Sequence, residues 1–208
     1  MKKYLFTAVL TGLCTLFCIT ASAANPTNSM DTNTMKTNRR TLVAYFSHTG
    51  ENYAVGVIEK GNTAVIAEMI AEATGGTLFD IVPVEAYPAT YNECIAVAKT
   101  EKESGARPAV QGDIAVEDYD TIFVGYPNWW GDMPMAVYTF IEKHRWQGKT
   151  VIPFCTHEGS GLSSTERRLA DACKGATVAK GLAVKGTTAQ NKRDQARSEV
   201  RAWLAKVF

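Results

Sequence analysis

The feature that most constrains the fold is a regular alternation of short apolar segments with helical patterns along most of the chain. Five segments rich in β-branched and aromatic residues predict buried strands: Thr41–Phe46, Thr77–Val82, Thr121–Tyr126, Thr150–Cys155 and Thr177–Val184. A stretch with apolar residues at helical spacing follows each of them. Strands that alternate with helices form a parallel sheet that helices cover on both faces. Because crossovers are right-handed, we predict a doubly wound α/β fold with a five-stranded parallel sheet.

The helical segments carry their own start and end signals. The first runs over residues 63–73 and ends before Gly75-Gly76. The patterns Thr90-x-x-Glu93 and Ser163-x-x-Glu166 have the form of capping boxes, and they predict the starts of the second and fourth helices. Pro134 predicts the start of the third helix. The last helix has an apolar face made of Ala196, Val200, Trp203, Leu204 and Val207.

The first 23 residues have the pattern of a Sec-type signal peptide. A basic start is followed by the apolar run Leu5–Ile19 and by the small residues Ala21-Ser22-Ala23. The alternative is a membrane anchor, but the run has about 15 residues and a spanning helix needs about 20. We therefore expect cleavage after residue 23, no stable membrane anchor, and export, with the periplasm as the destination. The polar residues 24–40 predict a flexible leader before the domain 41–208.

The charge balance excludes several classes of partner. The chain has 22 Lys and Arg against 21 Asp and Glu; residues 1–23 hold two lysines and no acids, so the mature chain has net charge −1. Nothing in this balance favours nucleic acid or a membrane surface. The mature chain keeps the cysteines Cys94, Cys155 and Cys173, which permit at most one internal disulfide and are more typical of small buried residues.

The loops at the carboxyl ends of the predicted strands carry the candidate chemistry, since doubly wound sheets bind ligands there. After the first strand come Ser47-His48-Thr49-Gly50 and then, past an interruption, Asn62-Thr63 at a helix start. Hydroxyl groups, glycines and backbone N–H groups at a helix N-terminus can hold a phosphate without a lysine. The alternative is that Asn62-Thr63 only cap the helix.

Two further loops could enclose a planar ring. Pro127-Asn128-Trp129-Trp130-Gly131 offers a flat aromatic wall, although tryptophans also pack under loops; we expect one of the pair to pack and the other to contact the ligand. Thr156-His157-Glu158-Gly159-Ser160-Gly161 is small and polar. It is either a glycine-rich turn or the second wall of the ring site.

Together the three loops resemble those of the flavodoxin family, in its variant with an extended phosphate loop, and the resemblance covers residues 41–208. The family's phosphate loop reads Ser/Thr-x-Thr-Gly-Asn-Thr. Ser47, Thr49 and Gly50 match its first half and Asn62-Thr63 its second. The insertion Glu51–Gly61 separates the halves and leaves open which hydroxyl contacts which phosphate oxygen. It is either a lid over the phosphate or a partner-binding loop.

The resemblance implies noncovalent FMN as the cofactor, no metal, and no catalytic residue beyond the flavin itself. It also implies that a main-chain group near Gly131 contacts the flavin N5 edge and that a donor such as His157 lies near the N1/O2 edge. The predicted cofactor-binding residues are Ser47, His48, Thr49, Gly50, Asn62, Thr63, Pro127, Asn128, Trp129, Trp130, Gly131, Thr156, His157, Glu158, Gly159 and Gly161.

Several functions fit this pattern. Electron-carrier flavodoxins are strongly acidic, so the nearly neutral mature chain favours an oxidoreductase that reduces a quinone or another small acceptor. The alternatives are a low-potential carrier for a protein partner and an exported binding module without a cofactor. A hydrolase that uses Cys155 with His157 is a further alternative, but the sequence contains no nucleophile elbow of the form Gly-x-Ser-x-Gly. The partners that we expect are an electron donor and an electron acceptor, each of them a small molecule or a protein.

Overall fold

A computed structural model describes residues 40–208 of the protein. The predicted signal peptide and residues 24–39 of the predicted leader lie outside the described residues. In chain order the strands are β1 Thr41–Tyr45, β2 Gly50–Asn52, β3 Gly56–Ile58, β4 Thr77–Asp80, β5 Thr121–Pro127, β6 Thr150–His157, β7 Thr177–Val178 and β8 Leu182–Lys185. The helices are α1 Asn62–Thr74, α2 Tyr91–Ser104, α3 Met135–Glu142, α4 Thr165–Ala172, α5 Gly186–Asn191 and α6 Arg193–Val207.

The central sheet has the strand order β4-β1-β5-β6, with β7 and β8 both paired to β6. All of these pairings are parallel. In terms of the five sheet positions the order is 2-1-3-4-5, which is that of a doubly wound fold with its switch point between the first and third strands along the chain, here β1 and β5. The predicted five-stranded parallel sheet is therefore confirmed.

Helices cover the sheet on both faces, as predicted. Successive residues of β1 and β5 point to opposite faces of the sheet. Val43 and Phe123 pack in one core with residues of α1 and α6. Leu42 and Ile122 pack in a second core with residues of α3 and α4. The apolar face predicted for the last helix is buried in the first of these cores through Ala196, Val200, Trp203 and Leu204.

The fifth sheet position differs from the prediction of one continuous strand. It is divided into β7 and β8 by residues 179–181. The N–H of Ala179 donates to the carbonyl of Val151 in β6 (2.9 Å), so the backbone groups of Val151 point toward the fifth sheet position. Those of Pro153 point the same way, because Pro153 lies two residues further along the strand. Proline has no N–H to continue the ladder, and the strand breaks beside it.

The predicted capping box at Ser163 is wrong. The helix α4 begins at Thr165 with Ser164 as its N-cap, and Ser163 has a φ of +51°. The carboxylate of Glu166 instead accepts hydrogen bonds from the Gly181 N–H (2.9 Å) and from the Lys180 ammonium (3.1 Å), and so holds the break in the last strand. The other two start signals agree with the structure, since Thr90 and Pro134 directly precede α2 and α3.

The insertion Glu51–Gly61 forms a β-hairpin. Its strands β2 and β3 pair antiparallel, with Gly50 opposite Ile58, and lie apart from the central sheet. Ala54 in the turn has a φ of +65°. Across residues 40–208, no helix has the length and apolar character needed to span a bilayer.

Candidate functional site

A cleft of about 260 Å³ lies at the carboxyl edge of the sheet, where the predicted loops meet. It brings together residues that are far apart in the sequence and come from five segments: the loop after β1 with its hairpin, the start of α1, the start of α2, the loop after β5, and the end of β6. The lining residues are His48, Glu51, Asn52, Tyr53, Asn62, Tyr91, Cys94, Ile95, Pro127, Asn128, Trp129, Trp130, Thr156, His157 and Glu158.

The N-terminus of α1 has the features of an anion site. The first N–H groups of a helix lack partners within the helix. Ser47 Oγ accepts one of them, from Ala64 (3.0 Å), while none of residues 40–208 accepts a hydrogen bond from the N–H of Asn62 or Thr63. Gly61 permits this arrangement, because a Cβ there would lie 2.2 Å from Ser47 Oγ. Two free N–H groups at the positive end of the helix dipole suit the phosphate of FMN.

Two predicted phosphate-loop side chains already have partners within the protein. Thr63 Oγ1 and Thr156 Oγ1 are 2.8 Å apart and buried, so they join α1 to the end of β6. Asn62 Oδ1 accepts a hydrogen bond from Gln190 Nε2 (2.9 Å), which lies on α5. The pair of threonines uses one of its two hydroxyl hydrogens, so one remains for a ligand.

The rest of the first loop is organised around the ring of His48. Its Nε2 lies 3.0 Å from the carbonyl of Pro88, and its Nδ1 lies 3.3 Å from the amide nitrogen of Asn52. The two contacts fit one tautomer, in which Nε2–H donates to Pro88 and Nδ1 accepts from Asn52. Burial lowers the pKa of His48 below its usual value. Thr49 is exposed. Gly50, with a φ of +86°, lets the chain turn into the hairpin.

The two adjacent tryptophans differ in their surroundings. The Trp129 ring packs edge-on against Tyr87 and Phe46, with centroids 5.0 and 5.3 Å apart. Trp130 is 49% exposed at the cleft, and its Nε1–H donates to the carbonyl of Ile95 (3.0 Å). Trp130 and Gly131 have φ values of +55° and +74°, as in a type I′ turn. One tryptophan thus packs under the loop and the other presents aromatic surface to the cleft.

The side chain of Asn128 ties the two ring loops together. Its Nδ2 donates to the carbonyl of Gly161 (2.8 Å), and its Oδ1 accepts the N–H of Gly131 (3.0 Å). Its own backbone N–H donates to the carbonyl of Thr156 (2.8 Å). The N–H of Gly131 is therefore engaged within the loop, and the expected contact of this main chain with the flavin N5 edge stays a prediction.

The ring of His157 has a defined tautomer. Its Nδ1 accepts the N–H groups of Gly159 (2.8 Å) and Gly161 (3.1 Å), so Nδ1 carries no proton and the neutral ring has its proton on Nε2. Burial lowers the pKa of His157, which favours the neutral form. Since His157 lines the cleft, Nε2–H is a neutral donor available to a ligand.

Glu158 supports the neighbouring helix. Its Oε1 accepts the N–H of Thr187 (2.5 Å), and its Oε2 accepts the Thr187 hydroxyl (3.2 Å). Both oxygens therefore serve the first turn of α5, although the residue also lines the cleft. Pro127 ends β5 and lines the cleft beside the tryptophan loop.

Cys155 lacks the properties of a nucleophile. It is fully buried, and its thiol donates to the carbonyl of Gly161 (3.2 Å). Burial raises the pKa of the Cys155 thiol to about 12, which keeps it protonated at neutral pH. Nucleophilic cysteines need the thiolate and partial exposure. These observations speak against the hydrolase alternative.

Sequence reasoning missed one wall of the cleft. It consists of Glu51, Asn52 and Tyr53 from the hairpin and of Tyr91, Cys94 and Ile95 from the start of α2. The sequence did contain an indication of this wall, because α2 follows the second predicted strand and so starts at the same edge of the sheet as the other loops. The aromatic Tyr91, directly after the capping residue Thr90, indicated where α2 reaches the cleft.

Comparisons with known proteins agree with this architecture. A family model described as flavodoxin matches residues 40–206. The chain belongs to the flavodoxin family. A candidate flavoprotein from Bacteroides uniformis is 34% identical, with a TM-score of 0.65 over 81% of this chain and 99% of the other. One from Bacteroides eggerthii is 31% identical, with a TM-score of 0.64 over 81% and 97% of the two chains.

A more distant structure shares the fold of this flavodoxin. It is a flavoprotein from Lactobacillus acidophilus in complex with FMN, 21% identical, with a TM-score of 0.56 over 75% of this chain and 99% of the other. No curated protein sequence matches the chain. Membership of the family confirms FMN as the cofactor, and its phosphate fits the two N–H groups at the start of α1 that lack an acceptor within the described part of the chain.

Proposed function

We propose that this flavodoxin is an FMN-dependent oxidoreductase that passes electrons to a quinone or another small acceptor. The observation that carries the proposal is the pair of N–H groups at the start of α1 that have no acceptor among residues 40–208, beside a cleft with an exposed tryptophan. When bound, FMN supplies reversible one- or two-electron chemistry. A quinone that takes up two electrons and two protons leaves as the hydroquinone.

The residues of the chain have separate tasks in this proposal. The Ser47 hydroxyl and the N–H groups of Asn62 and Thr63 would hold the phosphate, as the cradle described above suggests. Trp130 would supply an aromatic face for the ring. The Nε2–H of His157 would stabilise negative charge on the reduced cofactor, because it is a neutral donor held in place by two backbone N–H groups.

Charge favours a small acceptor over a protein partner. Beyond residue 23 the chain has 20 basic against 21 acidic residues, so it lacks the large excess of acid that guides an electron carrier to a basic partner. Lysines also flank the exposed ring at the cleft: Lys99 Nζ lies 5.7 Å from the Trp130 ring centroid, and Lys102 Nζ donates to the Trp130 carbonyl. A low-potential carrier would present carboxylates there instead.

The signal-peptide pattern supports export, with the periplasm as the proposed location. Sec-exported chains cross the membrane unfolded, so FMN would be acquired outside the cytoplasm. The electron donor would then be a small molecule or protein of that compartment.

The first test is cofactor loading of the chain from residue 24. The protein is mixed with FMN, desalted, and its visible spectrum recorded before and after dithionite. We expect a retained flavin spectrum that bleaches on reduction and recovers when a quinone is added under anaerobic conditions. A folded protein that retains no flavin would contradict the proposal and favour the cofactor-free binding module.

A matched pair of serine variants tests the phosphate cradle. Ser47→Ala removes a hydroxyl at the anion site, and we expect its FMN Kd to rise about tenfold to a hundredfold, as for the loss of a hydrogen bond to a charged group. Ser160→Ala removes an exposed hydroxyl in the loop after β6 and should bind FMN like the wild type. Equal Kd values for the two variants would argue against Ser47 as a phosphate ligand.

A further inference from the structure

The cleft has an outer wall that comes from the hairpin and from α2 rather than from the flavin-binding loops. Tyr53, Tyr91, Cys94 and Ile95 line it. The wall joins the tryptophan loop, because the Trp130 indole N–H donates to the carbonyl of Ile95 (3.0 Å). An apolar and aromatic surface therefore extends from the exposed tryptophan to the mouth of the cleft.

The hairpin is anchored so that its tyrosine has a defined position. The Glu51 carboxylate accepts the N–H of Tyr91 (2.9 Å) at the start of α2, and the Glu51 N–H donates to the carbonyl of Ala89 (2.7 Å). As a result the rings of Tyr53 and Tyr91 lie with centroids 5.8 Å apart and planes tilted by 34°. Tyr53 remains 62% exposed, so core packing does not explain its aromatic ring.

The carboxylates and histidines that line the cleft already have partners within the protein. Glu51 accepts from the start of α2, Glu158 accepts from Thr187, and His157 is neutral with its Nδ1 occupied. None of the lining residues is a lysine or arginine. The two lysines beside the cleft are engaged as well, Lys99 with Glu103 (3.8 Å) and Lys102 with the Trp130 carbonyl. The lining thus provides no positively charged side chain for a phosphate-bearing substrate such as a nicotinamide dinucleotide, and it suits an uncharged, flat molecule.

We propose that Tyr53 and Tyr91, together with Cys94 and Ile95, form a subsite for an uncharged planar acceptor of the quinone class. This inference rests on the function proposed above. Aromatic rings attract each other when they stack or meet edge to face with their centroids about 4.5–7 Å apart. The two tyrosines at the mouth of the cleft can make such contacts with a quinone ring. Tyr53 is then a specificity residue that the inserted hairpin adds to the flavin site.

The test is equilibrium binding without electron transfer. Oxidised, FMN-loaded protein is titrated with 1,4-naphthoquinone in the absence of reductant, and binding is followed by the change in the flavin absorbance. We expect Tyr53→Ala to raise the Kd of the quinone about two- to tenfold, the range of one lost aromatic contact. Tyr53→Phe should bind like the wild type. Val57→Ala is the matched control, since Val57 is 82% exposed on the same hairpin and does not line the cleft.

Cofactor affinity and a second acceptor separate the outcomes. The FMN Kd and the rate of ferricyanide reduction, which needs no aromatic subsite, should be equal in all four proteins. An unchanged quinone Kd in Tyr53→Ala overturns the subsite while leaving the proposed function intact. A raised FMN Kd in Tyr53→Ala also overturns it, because Tyr53 would then contact the flavin. Failure of the wild type to retain FMN overturns both proposals.

Discussion

Thr63 and Thr156 form a buried hydroxyl pair, and replacing them separately and together tests how the site is built. The two side chains are 1% and 3% exposed, and their oxygens are 2.8 Å apart. Replacing one by valine leaves the other hydroxyl without its partner, which costs about 1–3 kcal/mol in the free energy of unfolding. Replacing both removes the unsatisfied group, so we expect the double variant to be nearly as stable as the wild type.

Urea unfolding of the FMN-free protein measures these free energies. Each single variant should lose about 1–3 kcal/mol, and the double variant less than either. Thr100→Val is the control, because the Thr100 hydroxyl is exposed and bonds only to the carbonyl of Ala96 in its own helix. If the two single losses simply add, each hydroxyl has another partner, and the reasoning from the 2.8 Å contact is refuted.

The same variants report on the cofactor. The pair leaves one hydroxyl hydrogen free. If that hydrogen binds the FMN phosphate, the double variant should lose about tenfold or more in FMN affinity while keeping its stability, as for a hydrogen bond to a charged group. An unchanged FMN Kd in the double variant would restrict both threonines to a structural role.

Three further predictions follow from the titratable groups. His157→Ala removes the neutral donor at the cleft and should make the two-electron potential of the bound flavin about 20–30 mV more negative, which corresponds to about one hydrogen bond. His144 does not line the cleft, so His144→Ala should leave the potential unchanged. Equal potentials in the two variants would contradict the role of His157 as a donor to the reduced flavin. Burial lowers the pKa of all three histidines below 6.5, so the unfolded chain binds protons more readily than the folded one. The free energy of unfolding should therefore reach its full value above pH 6.5 and fall as the pH drops through the lowered pKa values. If the urea midpoint of His157→Ala stays constant across this range while that of the wild type falls, the effect belongs to His157. Burial also raises the pKa of Cys155 to about 12, so iodoacetamide at about pH 8 should alkylate this thiol in unfolded protein and leave it intact in native protein, as mass spectrometry of peptides would show.

Much of the fold could be predicted from local patterns. The apolar run of β5 and the helical spacing of α1 are properties of neighbouring residues, so period and composition identified both within a residue or two. The alternation of these elements then predicted the parallel sheet, and the rule for carboxyl ends predicted which loops meet. The split of the last strand was missed, since it depends on Pro153 in a neighbouring strand.

The candidate site was also predicted in part from the sequence, and in part depended on the tertiary structure. Residue types in the loops sufficed to predict a phosphate cradle and an aromatic wall, because hydroxyls, glycines and tryptophans have those properties wherever they occur. Which atoms remain free for a ligand was decided by tertiary contacts: Thr63 meets Thr156, Asn62 meets Gln190, and Glu158 meets Thr187. Each of these partners lies at least 29 residues away in the chain. Only packing of the strands and helices brings such groups within hydrogen-bond distance, so the sequence alone predicted the ingredients of the site and the tertiary structure determined their use.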